Sequence, residues 1–246
     1  MLIDPDKLPE SRLAAFAGRC EDAGTDAFFV GGSLLGPLDL DGYVRRLKAA
    51  TTLPVVGFPG AVAQVVPSLD AVLYLSIVSG RNPEYLIGQH LQAAATIRRM
   101  HVEPISTAYM LVESGAMTTA QYISGSMPLP RRKPDVAAAT ALAAEMMGMR
   151  LLFTDAGSGA EHAVPEETIA AITETCAAPL VVGGGLRTAM DVSRRVASGA
   201  SFVVVGTAIE HRGDAGYIAD LAAAAHGTAV APHVATPHVV APGVGA

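Results

Sequence analysis

The chain of 246 residues has no tryptophan, only two cysteines and few charged side chains, 16% of the total. Each shortage excludes something. Cys20 and Cys176 lie far apart on separate predicted helices, and neither has a CxxC partner or metal-ligand spacing, so a reduced, intracellular protein fits. Lysine and arginine number 17 against 23 acidic residues, a formal net charge of −6. A general nucleic-acid binder is thereby excluded, because phosphate contacts along a backbone need clustered basic side chains. No apolar stretch approaches the roughly 20 residues that span a bilayer. Met1-Leu2-Ile3-Asp4 has neither a basic n-region nor an apolar h-region, so a cytosolic (cytoplasmic) protein without stable membrane insertion is expected.

What is present is a long supply of apolar residues, 50% of the chain, which suits strands buried on both faces and alanine-rich helices. The length is that of one (β/α)8 barrel and too short for a barrel plus a second full domain. The first strand opens the chain and runs into the carboxylate-bearing loop Asp4-Pro5-Asp6-Lys7. Further strands are predicted at 25–30, 53–57, 71–75, 105–112, 149–152, 179–182 and 202–205, with helices at 10–23, 43–50, 83–100, 135–147, 165–175, 188–196 and 217–225. About eight alternations favour a closed parallel barrel over an open doubly wound sheet. Gly183-Gly184-Gly185 also lacks the G-x-G-x-x-G register of a dinucleotide fold.

Two stretches depart from this regular alternation. Between Phe58-Pro59-Gly60 and the fourth strand the chain leaves too little room for a packed crossover helix, so the outer helix after strand three is missing or vestigial. Its absence opens an apolar groove lined by Val62, Val65 and Val66; a short helix that the residues do not delimit is equally compatible. Glu113 to Pro134 reads as an insertion carrying the basic cluster Arg131-Arg132-Lys133. The barrel is expected over residues 1–226, followed by a disordered Ala/Pro/Val/His tail at 227–246 in which His233 and His238 have no fold to make them a metal site.

Three successive strand ends close in glycine. The sixth strand runs into Phe153-Thr154-Asp155-Ala156-Gly157-Ser158-Gly159-Ala160, the seventh into Gly183-Gly184-Gly185-Leu186-Arg187, and the eighth into Gly206-Thr207. Glycines let a loop turn its N–H groups toward an anion, and Ser158 adds a hydroxyl donor. An AGSGA loop by itself also makes an ordinary turn. Three such turns at the end of a barrel sequence, where loops seven and eight commonly bind phosphate, favour a phosphate site.

Together, Leu2-Ile3-Asp4-Pro5-Asp6-Lys7, Val30-Gly31-Gly32-Ser33, Ser79-Gly80-Arg81-Asn82-Pro83-Glu84-Tyr85, Asp155-Ala156-Gly157-Ser158-Gly159-Ala160, Gly183-Gly184-Gly185 and Gly206-Thr207 resemble the geranylgeranylglyceryl phosphate synthase family over about residues 1 to 212. The resemblance implies a modified TIM barrel lacking one regular outer helix. It also implies a magnesium-dependent prenyltransferase that joins a prenyl diphosphate to sn-glycerol 1-phosphate, making the first ether bond of archaeal-type lipids. Carried over by position, Asp4 and Ser33 match the Mg²⁺ ligands. Phe153, Thr154, Asp155, Ala156, Gly157, Ser158 and Gly159 match the glycerol-phosphate loop, and Gly184, Gly185, Gly206 and Thr207 the remaining phosphate contacts. Asp155 is the candidate catalytic residue, Arg81 and Lys133 are candidates for the diphosphate, and a homo-oligomer, dimer or higher, is expected. The family usually has tyrosine and glutamate where this chain has Phe153 and Asp155, which puts acceptor specificity in question. The chain also starts closer to its first strand than members of that family do, so an N-terminal segment covering the barrel is expected to be missing. Two alternatives stay open: a phosphosugar isomerase or aldolase-like barrel, and a non-catalytic barrel that binds a phosphate ligand. Small residues along the groove and the lack of tryptophan point to a C20 or longer donor in preference to C10.

Overall fold

Eight short apolar runs fold as strands and pair in chain order, each parallel to the next. They are β1 (Leu2–Ile3), β2 (Phe28–Val30), β3 (Val55–Gly57), β4 (Ala71–Ile77), β5 (Glu103–Leu111), β6 (Leu151–Asp155), β7 (Leu180–Gly183) and β8 (Phe202–Val204). The ring closes where the Leu2 N–H donates to Val205 O at 2.9 Å. This computed structural model describes residues 1–227; the tail expected at 227–246 lies, apart from Gly227, outside the described residues.

Side-chain alternation divides each strand between two environments. On β5 and β6, Tyr109, Leu111, Leu151 and Phe153 point into the barrel, where they meet Leu73, Val181 and Val204. Ala108, Met110 and Leu152 point outward onto α5 (Pro134–Met146) and α6 (Glu166–Thr175). The other outer layer joins α1 (Glu10–Asp22), α2 (Leu40–Ala49), α7 (Ala189–Ala197) and α9 (Ala215–His226) through Phe16, Tyr43, Val192 and Ile218. The same period of two sends the carboxylate of Asp155, two residues beyond Phe153, to the inner face at the mouth.

Between β3 and β4 the only helical element is a single 3-10 turn, Val62–Gln64, so the expected outer helix is absent there. Val62 and Val65 therefore face α3 (Gln89–Met100) directly, with Ala93 and Ile97 on the opposite wall of the groove. The helix predicted over 83–100 is not uniform: Glu84–Gly88 forms a π-helical turn before α3 begins. Tyr74 donates to His90 O at 2.7 Å and Ser76 to Leu86 O at 3.0 Å, so β4 side chains hold this irregular start against the barrel. The insertion at 113–134 carries a short helix, α4 (Thr119–Ser124), capped by the Thr118 hydroxyl. It is fastened to β5 by Leu129 N–H donating to Leu111 O at 2.7 Å. After β8, α8 (Thr207–Arg212) supplies a helix that the periodicity of the chain does not announce.

Candidate active site

At the C-terminal mouth of the barrel the three glycine turns converge around Asp155. Its Oδ1 accepts the Gly157 N–H at 2.7 Å and its Oδ2 accepts the Tyr109 hydroxyl at 2.5 Å. Burial pushes the Asp155 carboxyl above the usual carboxylate range, and the bonds from Tyr109 and Gly157 work against that rise. Burial and the adjacent Asp155 charge push the Tyr109 phenol well above its ordinary value. The phenol and the carboxyl thus share one short hydrogen bond at the edge of the cavity.

Two of the glycines are required by this packing. Gly184 has φ +78°, and a Cβ there would lie 2.5 Å from Asp155 Oδ1 and 2.6 Å from the Gly157 nitrogen. Gly185, φ +71°, would place a Cβ 2.8 Å from the Ala163 nitrogen. Around them the turns are tied together. Ser158 and Thr207 hydroxyls are 3.1 Å apart, and the Arg187 guanidinium donates to Ala160 O at 2.5 Å and Glu161 O at 3.3 Å. Tyr217 from α9 in turn donates to Arg187 O at 2.6 Å.

One cavity of about 750 Å³ joins these turns to the groove between the 3-10 turn and α3. Of the residues singled out from the sequence, Asp4, Ser33, Phe153, Asp155, Gly157, Ser158, Gly159, Gly184, Gly185, Gly206 and Thr207 line it. Thr154 and Ala156 do not: alternation turns Thr154 outward, its hydroxyl donating to Val181 O at 3.4 Å, and the Ala156 N–H is used on Gly183 O at 3.1 Å. Nor does the structure bring Arg81 or Lys133 to the cavity wall. The Arg81 guanidinium folds back on Gly80 O at 2.7 Å, and Lys133 is exposed where α5 begins. Among the described residues the lysine and arginine side chains that do line it are Lys7, Arg187 and Arg212.

Phe153 is 1% exposed and lies within an aromatic layer, stacked on Phe58 at 5.2 Å between ring centroids and edge-on to Tyr109 at 5.4 Å. It forms the floor of the site. Tyr109 itself was legible only as an apolar-strand residue; its register opposite Phe153 on β6 makes it part of the site.

The polar wall across from the glycine turns begins at the end of β1. Asp4 Oδ1 accepts the Asp6 N–H at 3.1 Å and lies beside Gly32, the neighbour of Ser33: a Cβ on Gly32 would be 3.6 Å from it. Asp4 Oδ2 and Glu210 Oε2 flank the Lys7 ammonium at 3.1 and 3.5 Å. Among the described residues no three His, Cys, Asp or Glu side chains converge as a metal cage. One carboxylate and a hydroxyl, all oxygen, are nonetheless a donor set of the kind Mg²⁺ takes when substrate phosphates and waters complete its shell. The thiols of Cys20 and Cys176 are free, buried, and pushed up to about 11 by burial. No helix among the described residues is long and apolar enough to cross a membrane.

The PcrB family matches residues 1–224. A geranylgeranylglyceryl phosphate synthase of Chitinophaga pinensis is 44% identical over 229 residues, covering 93% of this chain and 90% of that protein. One from Thermococcus gammatolerans is 40% identical over 214 residues, with coverage of 87% and 84%. The crystal structure of (S)-3-O-geranylgeranylglyceryl phosphate synthase from Thermoplasma acidophilum, in complex with its substrate sn-glycerol-1-phosphate, matches with a TM-score of 0.87 at 31% identity over 92% of each chain. Fold and site define a TIM-barrel enzyme with glycine turns suited to a phosphate at one end of its cavity and an apolar groove at the other. The relatives match over nearly the whole described length. The chain belongs to the PcrB family, the family of TIM-barrel prenyltransferases that its sequence resembles.

Proposed function

We propose that this chain transfers the prenyl group of geranylgeranyl diphosphate, or a similar long prenyl diphosphate, to sn-glycerol 1-phosphate, giving geranylgeranylglyceryl phosphate and diphosphate. The observation that carries this reading is the continuity of one cavity from the three glycine turns, past Asp155, to the groove of Val62, Val65, Ala93 and Ile97. A phosphosugar enzyme has no use for such a groove. Lys7, the lysine nearest to serving a Schiff base, has its pKa raised: burial lowers it, but Asp4 and Glu210 more than offset that. A raised pKa keeps the amine protonated and unreactive.

In this reading the N–H groups of the glycine turns, Ser158 and Thr207 hold the acceptor phosphate, and the buried Asp155 carboxylate binds and orients the acceptor's free hydroxyl. The hydroxyl oxygen bonds to C1 of the donor as the bond from C1 to the diphosphate oxygen breaks, and Asp155 takes the proton released. Orientation is its principal contribution, because an allylic C1 with ionising character needs little base assistance. Mg²⁺, held by Asp4 and Ser33, would supply charge neutralisation on the departing diphosphate. Arg212, on the cavity wall and 4.6 Å from the Tyr217 ring, is better placed to meet that diphosphate than Arg81 or Lys133. A soluble oligomer that meets the bilayer only to collect donor and release lipid product is consistent with this chemistry.

The test is direct. Purified protein, Mg²⁺, labelled geranylgeranyl diphosphate and sn-glycerol 1-phosphate are incubated and the ether product is identified by mass. Calorimetric binding of sn-glycerol 1-phosphate with no ether formed would reduce the protein to a phosphate-binding barrel, and no binding would remove the assignment altogether.

A further inference from the structure

The Asp4–Lys7–Glu210 arrangement has an imbalance that the proposed reaction does not explain. Glu210 is only 12% exposed, and its buried Oε2 has no close hydrogen-bond donor among the described residues; the Lys7 ammonium, its ion-pair partner there, stands 3.5 Å away, at the outer limit of hydrogen-bond range. Lys7 instead gives its close contact, 3.1 Å, to Asp4 Oδ2, on the carboxylate that the proposed function assigns to the divalent cation. An ammonium on Asp4 Oδ2 and a divalent cation on Oδ1, the oxygen beside Gly32, would sit on the two oxygens of one carboxylate and repel each other strongly. Lys7 has room to leave, being 46% exposed on a flexible four-carbon stem. Moving less than about 1 Å toward Glu210 would give the orphaned oxygen a charge-assisted hydrogen bond of about 2.8 Å.

We propose that Lys7 is an exchangeable counter-ion of the metal site: it competes with the divalent cation for Asp4, and Glu210 is the acceptor that receives its ammonium when the cation binds. Glu210 therefore favours metal binding by acting through Lys7, as a positioning residue and not as a ligand. The inference rests on the metal role assigned to Asp4. It adds that metal affinity is set by a lysine that touches no metal.

The experiment measures cation binding alone, with no prenyl or glycerol phosphate present. Mn²⁺, which shares the oxygen preference of Mg²⁺ and has a paramagnetic signal, is titrated into the full-length wild type, Lys7→Met, Glu210→Gln and the double variant, each first checked for an intact thermal transition. Lys7→Met should tighten Mn²⁺ binding about three- to tenfold, and Glu210→Gln should weaken it by a similar factor, in keeping with the worth of partly exposed charge pairs. In the Lys7→Met background, Glu210→Gln should change affinity by less than about twofold, since the residue it acts through is gone. Binding that is unchanged or weaker in Lys7→Met overturns the proposal. An equal loss from Glu210→Gln in both backgrounds also overturns it, because Glu210 would then be a ligand or act by its field. If neither wild type nor Lys7→Met binds Mn²⁺, the metal role of Asp4 fails and the inference with it, whereas prenyl transfer by the wild type, assayed separately, decides whether the proposed reaction survives.

Discussion

The Tyr109 hydroxyl, on β5, donates to the Asp155 carboxylate at the end of β6, one strand away, at 2.5 Å with both groups buried. The bond favours the charged form of a carboxyl that burial pushes toward neutrality. Tyr109→Phe keeps the ring against Phe58 and Phe153 and removes only the donor. The Asp155 pKa should rise further, moving the acidic limb of the kcat/KM profile for sn-glycerol 1-phosphate to higher pH. The loss should be greatest on the acidic limb, about 10- to 100-fold, the worth of a hydrogen bond to a charged group, and should shrink as pH rises above it. An acidic limb at the same pH as the wild type's would show that Tyr109 only packs.

Asp155→Asn should separate function from stability. Because the folded-state pKa of Asp155 is raised above the ordinary 3.8, the native state binds a proton where the unfolded chain has already lost it. The associated stability is present at low pH and is lost as pH rises through the window that opens at 3.8 and closes at the folded value. The uncharged asparagine escapes that loss, accepting from Gly157 with its oxygen. Turnover should fall about 100-fold through loss of the acceptor hydroxyl's orientation, while the variant's Tm at pH 7.5 should equal or exceed the wild type's, with the advantage shrinking toward pH 4. A variant that is much less stable at pH 7.5 would mean the ionised carboxylate holds the mouth together.

Gly184→Ala tests the close approach of the two turns. Its left-handed φ and the nearness of Asp155 Oδ1 and Gly157 N leave no position for a methyl group, so the loops after β6 and β7 must separate. A destabilisation of about 1–3 kcal/mol is expected in denaturant unfolding. A rise in KM for sn-glycerol 1-phosphate should accompany it, without change in that of the donor. Gly148→Ala is the control: its φ is also positive, +87°, but a Cβ there meets nothing within 4 Å and it lies far from the site. Matching losses in glycerol-phosphate KM for the two variants would reduce the effect at Gly184 to backbone strain.

The barrel was legible because its strands are nearly continuous apolar runs, such as Leu151-Leu152-Phe153 and Leu180-Val181-Val182, and because glycine takes the positive-φ positions of its turns, His101 excepted among the described residues. The short connection between β3 and β4 pointed to a missing outer helix but was equally compatible with a short one, and the structure shows a single 3-10 turn there. Side-chain direction was not. Arg81 and Lys133 follow strands, as cavity residues do, yet local carbonyls hold Arg81 and α5 displaces Lys133, and no local pattern announces either. Tyr109 was hidden for a similar reason: its partner is 46 residues away, and only the β5 to β6 register brings the two together. The six residues of α8 are too few to show a helical period, so Glu210 and Arg212 reached the cavity unannounced.

The groove's length follows from the 3-10 turn that replaces a helix. Val62 lies on that turn, lines the cavity and packs toward the side of the barrel that α3 covers. Each buried CH₂ contributes about 0.8 kcal/mol, so an isoprene unit of five carbons that gains or loses the groove changes donor affinity by up to ~4 kcal/mol. Wild-type protein offered C10, C15, C20 and C35 diphosphates at equal concentration should prefer C20 or longer. Val62→Trp supplies the bulky side chain that the sequence lacks, at the point where the chain must pass between the turn and α3. The ratio of C20 to C10 product should fall at least ~10-fold, a modest share of that energy because the walls can yield. The KM for sn-glycerol 1-phosphate, bound at the other end of the cavity, should stay within about twofold, as expected of distant, independent sites. A wild type that prefers C10 or C15 would mean the groove does not hold the prenyl chain, and an unchanged product ratio in Val62→Trp would place the chain along another wall.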